Sequence, residues 1–380
     1  MDENQDRLNR LRTKDWWSRK KEIEELAAGH EERHLAVLES WLRKGEDHLS
    51  RNIAMEVFRA LGSGATAFLV SLLSDSDADI RIFAANLIGD IGDKDALTAL
   101  IETLEDTDLN VRIAAIEALG KMGDARAVGV LARRLEDSPW SVMAAVDALG
   151  RIGGDEARTV LHRFLVRGEY RGMTCEALER AGDRASVEQL MQYVGRGEIG
   201  GLALRALVTI AERECVMPSP LFIAETLPVL KDLVQSPDAA VRRAALIALS
   251  WAGKADAAPC LIAALGDDGL QEHAINGLMA LGRDAVPDII GALRGRGGQR
   301  GILAKILSMT GEVHAFPEFA DDADSEVRTE AALALGTVNT PEAKALLVKL
   351  SADPVDEVKA AAVLSLQLMK GGAGNDGLSR

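Results

Sequence analysis

A frame of about thirty residues returns along the whole 380-residue chain, and it limits the fold more than any other feature of the sequence. DADIRIFAANLIGDIGDKDAL, from Asp77, aligns with DLNVRIAAIEALGKMGDARAV, from Asp108, in the register V/I-R-x-x-A-A-x-x-L/I-G-x-I/M-G-D. Further copies begin at Glu169, Asp238 and Asp324. The arginine of V-R serves as a marker: Arg51, Arg81, Arg112, Val142, Arg171, Gly200, Arg242, Gln271, Arg300, Arg328 and Lys359 occupy it. Successive markers lie 28 to 31 residues apart, with one gap of 42. That gap holds RECVMPSPLFIAETLP, whose prolines predict an inserted loop or a lengthened first helix.

Each copy reads as two helices. Around Arg112 the first is expected over Ala96–Asp106, and the second from Leu109 to Gly123-Asp124. An aspartate before the second helix is a suitable N-cap, and glycine after it a suitable stop. One such hairpin cannot bury both apolar faces, but a stack of them can. The expected fold is all-α: a right-handed α-solenoid of about eleven hairpins. The repeated frame resembles HEAT repeats, in particular the short, Ala- and Gly-rich class named after bilin-attaching lyases. The resemblance covers roughly residues 46–370. It implies a fold and, because this repeat class serves unrelated tasks, no single activity.

Residues 1–45 stand outside the frame and are expected to form a helical cap, with Trp16, Trp17 and Trp41 packed on the first repeat or offered for docking. The tail at 371–380 is Gly-rich and expected to be disordered. Aromatics are only 4% of residues, and Ala and Leu supply most of the apolar material, as close helix packing requires. The net charge of −15 opposes nucleic-acid binding and suits a basic partner. Cys175, Cys215 and Cys260 are widely spaced and predict a reducing, cytoplasmic setting. No apolar run is expected to reach the length of a membrane span.

His30-Glu31-Glu32-Arg33-His34 matches H-E-x-x-H, in which two histidines one helical turn apart ligate zinc and the glutamate polarises water. The extended form fails, since Val37 and Ser40 stand at its glycine and third-histidine positions, and Glu32 and Arg33 make the middle of the motif fully charged. The stretch is expected to be a solvated helix face without metal. A metal-dependent hydrolase using His30, Glu31 and His34 is the alternative, and a bilin-lyase-like chromophore-handling protein is another. Deoxyhypusine hydroxylase, an iron enzyme of similar repeats, carries His-Glu pairs within them; here the single pair, His30-Glu31, lies outside. No nucleophile triad is evident, and no cofactor is expected.

On a helical wheel of the Arg112 repeat, Val111, Ala115, Ala118, Leu119 and Met122 fall on the core side. Ile113, Glu117, Gly120 and Lys121 fall opposite, where a groove is expected. Arg112 is expected to reach Asp108, or Asp77 of the neighbouring repeat, in a structural ladder. The candidate binding surface is then an apolar column, Ile82, Ile113 and Met143, beside an acidic or amide column, Asn86, Glu117, Asp147 and Glu176. The expected function is a non-enzymatic scaffold or adaptor whose groove takes a protein partner, specifically a basic amphipathic segment.

Overall fold

The computed structural model describes residues 11–12, 15–28, 33–43, 48–218, 220–251, 255–295, 299–338 and 340–372. Among these residues every regular element is an α- or 3-10 helix. They form two compact units, Met1–Leu190 and Met191–Arg380. Each is a stack of hairpins whose second helices pack on one another in succession.

The third repeat shows how the frame becomes structure. Its first helix is Leu97–Thr103, entered through a 3-10 turn at Lys94–Ala96. Its second helix is Leu109–Met122. The Asp108 side chain accepts hydrogen bonds from the backbone N–H of Asn110 and Val111, satisfying two donors that the first turn leaves open. Gly123 ends the helix at φ +67°, a left-handed conformation that costs glycine nothing. Asp124 then caps the next 3-10 turn through Arg126 N–H. The second repeat has Asp77, which accepts from Asp79 N–H, and Gly92 and Asp93 in the corresponding places. In the second unit Asp324 caps Ser325–Leu335 and Thr340 caps Pro341–Leu350.

The core side of the wheel is where the sequence places it: Val111, Ala115, Ala118, Leu119 and Met122 are all buried. Gly120 corrects the groove side. It is buried, and a Cβ there would lie 2.7 Å from the Cα of Ala148 on the next second helix. Gly89 meets Ala118 and Gly150 meets Ala177 in the same way. The glycine of the frame is therefore a site of backbone approach between repeats.

The arginine ladder exists, but its partners differ from those expected. Arg81 donates from Nε and Nη2 to the Asp106 carboxylate of the following repeat, at 2.8 and 2.9 Å. Arg328 grips Asp353 likewise at 2.8 and 3.0 Å. Arg300 pairs with Asp322. Arg112 donates instead to the carbonyls of Asp106 and Thr107. Asp77 and Asp108 are already committed as helix caps, so the arginine turns to other acceptors in the turns.

The 42-residue gap is a lengthened first helix, Pro220–Leu233, with Pro228 inside it. At the N-terminal end, Trp16–Ala28 and Arg33–Arg43 both pack on His48–Leu61, so Arg33–Arg43 serves as the first helix of the first hairpin. Trp41 is buried there and Trp17 is exposed; the side chain of Trp16 lies outside the described residues. Helix Asp356–Gly372 runs into the segment expected to be a disordered tail, and residues 373–380 lie outside the described ones. One stretch, His48–Leu72, has the length and apolar composition of a membrane span, contrary to the sequence expectation. It is two helices joined at a 3-10 turn with Gly62 at φ +56°, and Ile53, Val57, Phe58 and Leu69 are buried in the repeat packing.

Candidate functional site: the outer face of the second helices

Five positions of each second helix share one face: two before the marker, then one, two, five and nine after it. They follow the one-turn spacing of a helix side. In the first unit the position after the marker holds Ile82, Ile113 and Met143, all half-buried. The fifth position holds Asn86 and Asp147, half-buried, and Glu117 and Glu176, exposed. The predicted site residues therefore lie on successive packed helices, on the side left uncovered by the core.

The ninth position changes the electrostatics, and the sequence reading passed over it. Arg151 Nε donates to Asp147 at 2.7 Å, and Arg180 Nη2 to its other oxygen at 2.6 Å. Lys121 Nζ and Arg59 Nε hold Asp90 at 2.7 and 2.8 Å. Burial works to raise the Asp90 pKa, and the two cations outweigh it, leaving the carboxyl below its ordinary range. The acidic column is thus partly neutralised from within. Trp140, two before its marker and 64% exposed, was also missed. Its signal was available: the same position holds Asp79, Asn110, Glu169 and Glu326 in other repeats.

In the second unit the same face is arranged differently. A depression of about 570 Å³ is lined by Gly301, Ile302, Lys305, Ser325, Glu326, Thr329, Glu330 and Glu357. Toward the helix C-termini stand exposed apolar side chains: Met309 (61%), Leu333 (39%), Leu364 (49%) and Leu368 (65%).

Two histidines stand on first helices, away from this face. His34 is 3% exposed, on the same helix stripe as buried Leu38, Trp41 and Leu42, which corrects the expectation of a solvated face. His30, Glu31 and Glu32 lie outside the described residues. No group of three or more His, Cys, Asp or Glu among the described residues is placed to hold a metal ion. His162 Nε2 lies 2.8 Å from Ser186 Oγ, a pair the sequence did not suggest. Ser186 is fully buried and joined to Asp183 by reciprocal backbone bonds, a capping box at the start of Arg184–Met191. Burial pushes the His162 pKa down. A hydroxyl with no access to solvent ties two helices together and reaches no substrate.

The pattern of HEAT repeats matches residues 66–150, 199–282 and 303–367, more than half of the chain. The chain is a HEAT-repeat protein. Among solved structures, Kap121p aligns with 97% of this HEAT-repeat protein and 49% of its own length, at 15% identity and a TM-score of 0.57. Kap95 in its complex with Nup1 aligns with 88% of this chain and 50% of its own, at 13% identity and a TM-score of 0.50. The chain thus spans about half the length of these two solenoids. The CpcE–CpcF phycocyanin lyase of Nostoc matches at 24% identity over 58% of this chain and 91% of its own, with a TM-score of 0.36. No curated protein matches the sequence.

Proposed function

We propose that this HEAT-repeat protein is a non-enzymatic scaffold of the cytoplasm that holds a protein segment on the outer face of its second helices. The fold is of the kind typical of protein-binding scaffolds. One observation carries the reading: Ile82, Ile113 and Met143 stay half-exposed in register on packed helices, with exposed Glu117 and Glu176 beside them. Trp140 adds the residue type that most often anchors an interface. A basic amphipathic segment suits this face. Its apolar side would supply most of the affinity and its cations would set orientation.

The Arg151 and Arg180 contacts decide which acid tests the steering. Reversing Asp147 would place three cations together and disturb the helices themselves. Glu117, exposed and farther from those cations, is the cleaner choice. The test is quantitative affinity capture from the native host with wild type and the Ile113→Asp, Met143→Asp double variant. The same folded content with selective loss of one captured protein is expected. With that protein purified, Ile113→Asp should mainly speed dissociation, and Glu117→Lys should slow association and flatten its salt dependence. Unchanged capture by the double variant would refute the reading.

A further inference from the structure

We infer that the second unit carries a separate docking surface, on the second helices of the ninth to eleventh repeats, that takes a basic amphipathic helix across the stack. It shares no residue with the face proposed above, and either surface stands if the other fails.

Two bands on these three helices make the surface. Within two residues of the marker on either side lie Glu326, Glu330 and Glu357, around the depression of about 570 Å³, with Lys305 as the cation in its lining. Toward the helix ends lie Met309, Leu333, Leu364 and Leu368, all exposed. Leu333 and Leu364 are in register on adjacent helices, flanked by Met309 and Leu368, a grouping unusual in a surface with no partner. The bands lie three to eleven residues apart along helices that rise 1.5 Å per residue, or about 5–16 Å, a range that brackets the width of one helix. A helix laid across the stack would set one edge on each band.

The charge selects the occupant. First-turn acids such as Glu326 and Glu357 also favour their own helix dipoles, which would account for those two without a ligand. Glu330 lies beyond the first turn, so the dipole does not explain it. It accepts a hydrogen bond from Ser308 Oγ at 3.2 Å and stays on the lining of the depression. Gly301 opens the floor, since a Cβ there would strike the Glu326 side chain. Three carboxylates against one ammonium leave a net acidic edge, complementary to lysine or arginine. Neighbouring helices pack 8–10 Å apart, so the surface spans about 20 Å, the length of a helix of about 13 residues.

The test uses the full chain and a labelled 18-residue peptide of leucine and lysine in amphipathic helical order, followed by fluorescence anisotropy. Its controls are a scrambled isomer and a leucine–glutamate counterpart. Saturable binding of the lysine peptide is expected, at least tenfold tighter than either control and weaker at high salt. Leu333→Asp with Leu364→Asp should lose at least tenfold. Leu368→Asp alone should lose several-fold, and because that side chain is 65% exposed the variant keeps its fold. Glu330→Lys should lose several-fold and flatten the salt dependence. All binding is measured in the Ile113→Asp, Met143→Asp background, which disables the first-unit face proposed above, so that the peptide reports on this surface alone. Equal binding of scrambled or acidic peptide, or full binding by the Leu333/Leu364 variant, overturns the inference. So does a concentration-dependent dimer in sedimentation that Leu364→Asp splits, because the surface would then belong to a second copy.

Discussion

The first and second units are built on one frame yet fill its exposed positions differently. In the first, frame glycines bring second helices to backbone contact at Gly89–Ala118, Gly120–Ala148 and Gly150–Ala177. Half-buried apolar residues lie mid-face, and pairs such as Asp147 with Arg151 and Arg180 close its far edge. In the second unit the same column reads Val208, Ser250, Met279, Ser308, Gly336 and Gln367, and within it Gly336 alone keeps a close approach, to Ser365. There the acids stand within two residues of the marker and the apolar residues at the far edge. The lesson is that the frame keeps the arginine–aspartate joints between hairpins in both units, while the glycine contacts and the exposed positions diverge.

The joints should therefore respond alike in both units. Asp106→Ala and Asp353→Ala each remove the acceptor of a largely buried, two-point arginine contact. Each should cost about 1–3 kcal/mol in chemical denaturation, the range for losing a hydrogen bond to a charged, part-buried group. A large difference between them would break the equivalence of the two ladders. Leu119→Ala, at a fully buried position, should cost about 2–5 kcal/mol. Hydrogen exchange should then loosen the third repeat and its neighbours only, since solenoid stability is shared between nearest neighbours.

The glycine column sharpens the contrast. Gly120→Ala should destabilise by about 1–3 kcal/mol, because the added methyl meets backbone and not a movable side-chain tip. Ser250→Ala, at the same column in the second unit, should stay within about 0.5 kcal/mol, its hydroxyl serving a local bond to Ile247 O.

Acid should weaken both ladders through the same sign. The guanidinium of Arg81 holds Asp106, and that of Arg328 holds Asp353, below the ordinary value of 3.8. A depressed folded-state pKa contributes stability that is complete above the unfolded value and is lost as pH falls through the folded one. Denaturation midpoints should thus hold above pH 3.8 and fall below it. Asp106→Asn and Asp353→Asn should flatten that fall, and an unchanged pH profile in the double variant would remove the ladder as its cause. A small effect is also expected at the exposed edge: Arg180→Ala should cost no more than about 1 kcal/mol, since its contact with Asp147 is open to water.

Several of these features were legible in the residues. Asp108, Gly123 and Asp124 act through bonds to neighbours within a few positions, so their roles could be read from spacing. The columns of Ile113 and Glu117 followed from helical period alone. Gly120 was misplaced because a wheel drawn for one helix contains no second helix, and the closeness of Ala148 is a fact about the stack. His34 was misplaced for a related reason: charged neighbours in sequence suggest water, whereas its own face of the helix turns inward.

What the sequence determined by itself was the hairpin and its repetition. Caps, stops and apolar period are local, and a frame returning at a near-constant interval can bury its apolar faces only by stacking. What the tertiary structure alone decided was the partner of each polar side chain and the character of each exposed face. Arg81 has several aspartates within reach along the chain, and the offset between stacked repeats selects Asp106, twenty-five residues on. Likewise Asp147 became a neutralised acid, and Leu364 an uncovered apolar residue, only when the neighbouring helices were in place. Ion pairing and burial depend on distances between segments, and those distances are set by how closely successive helices pack.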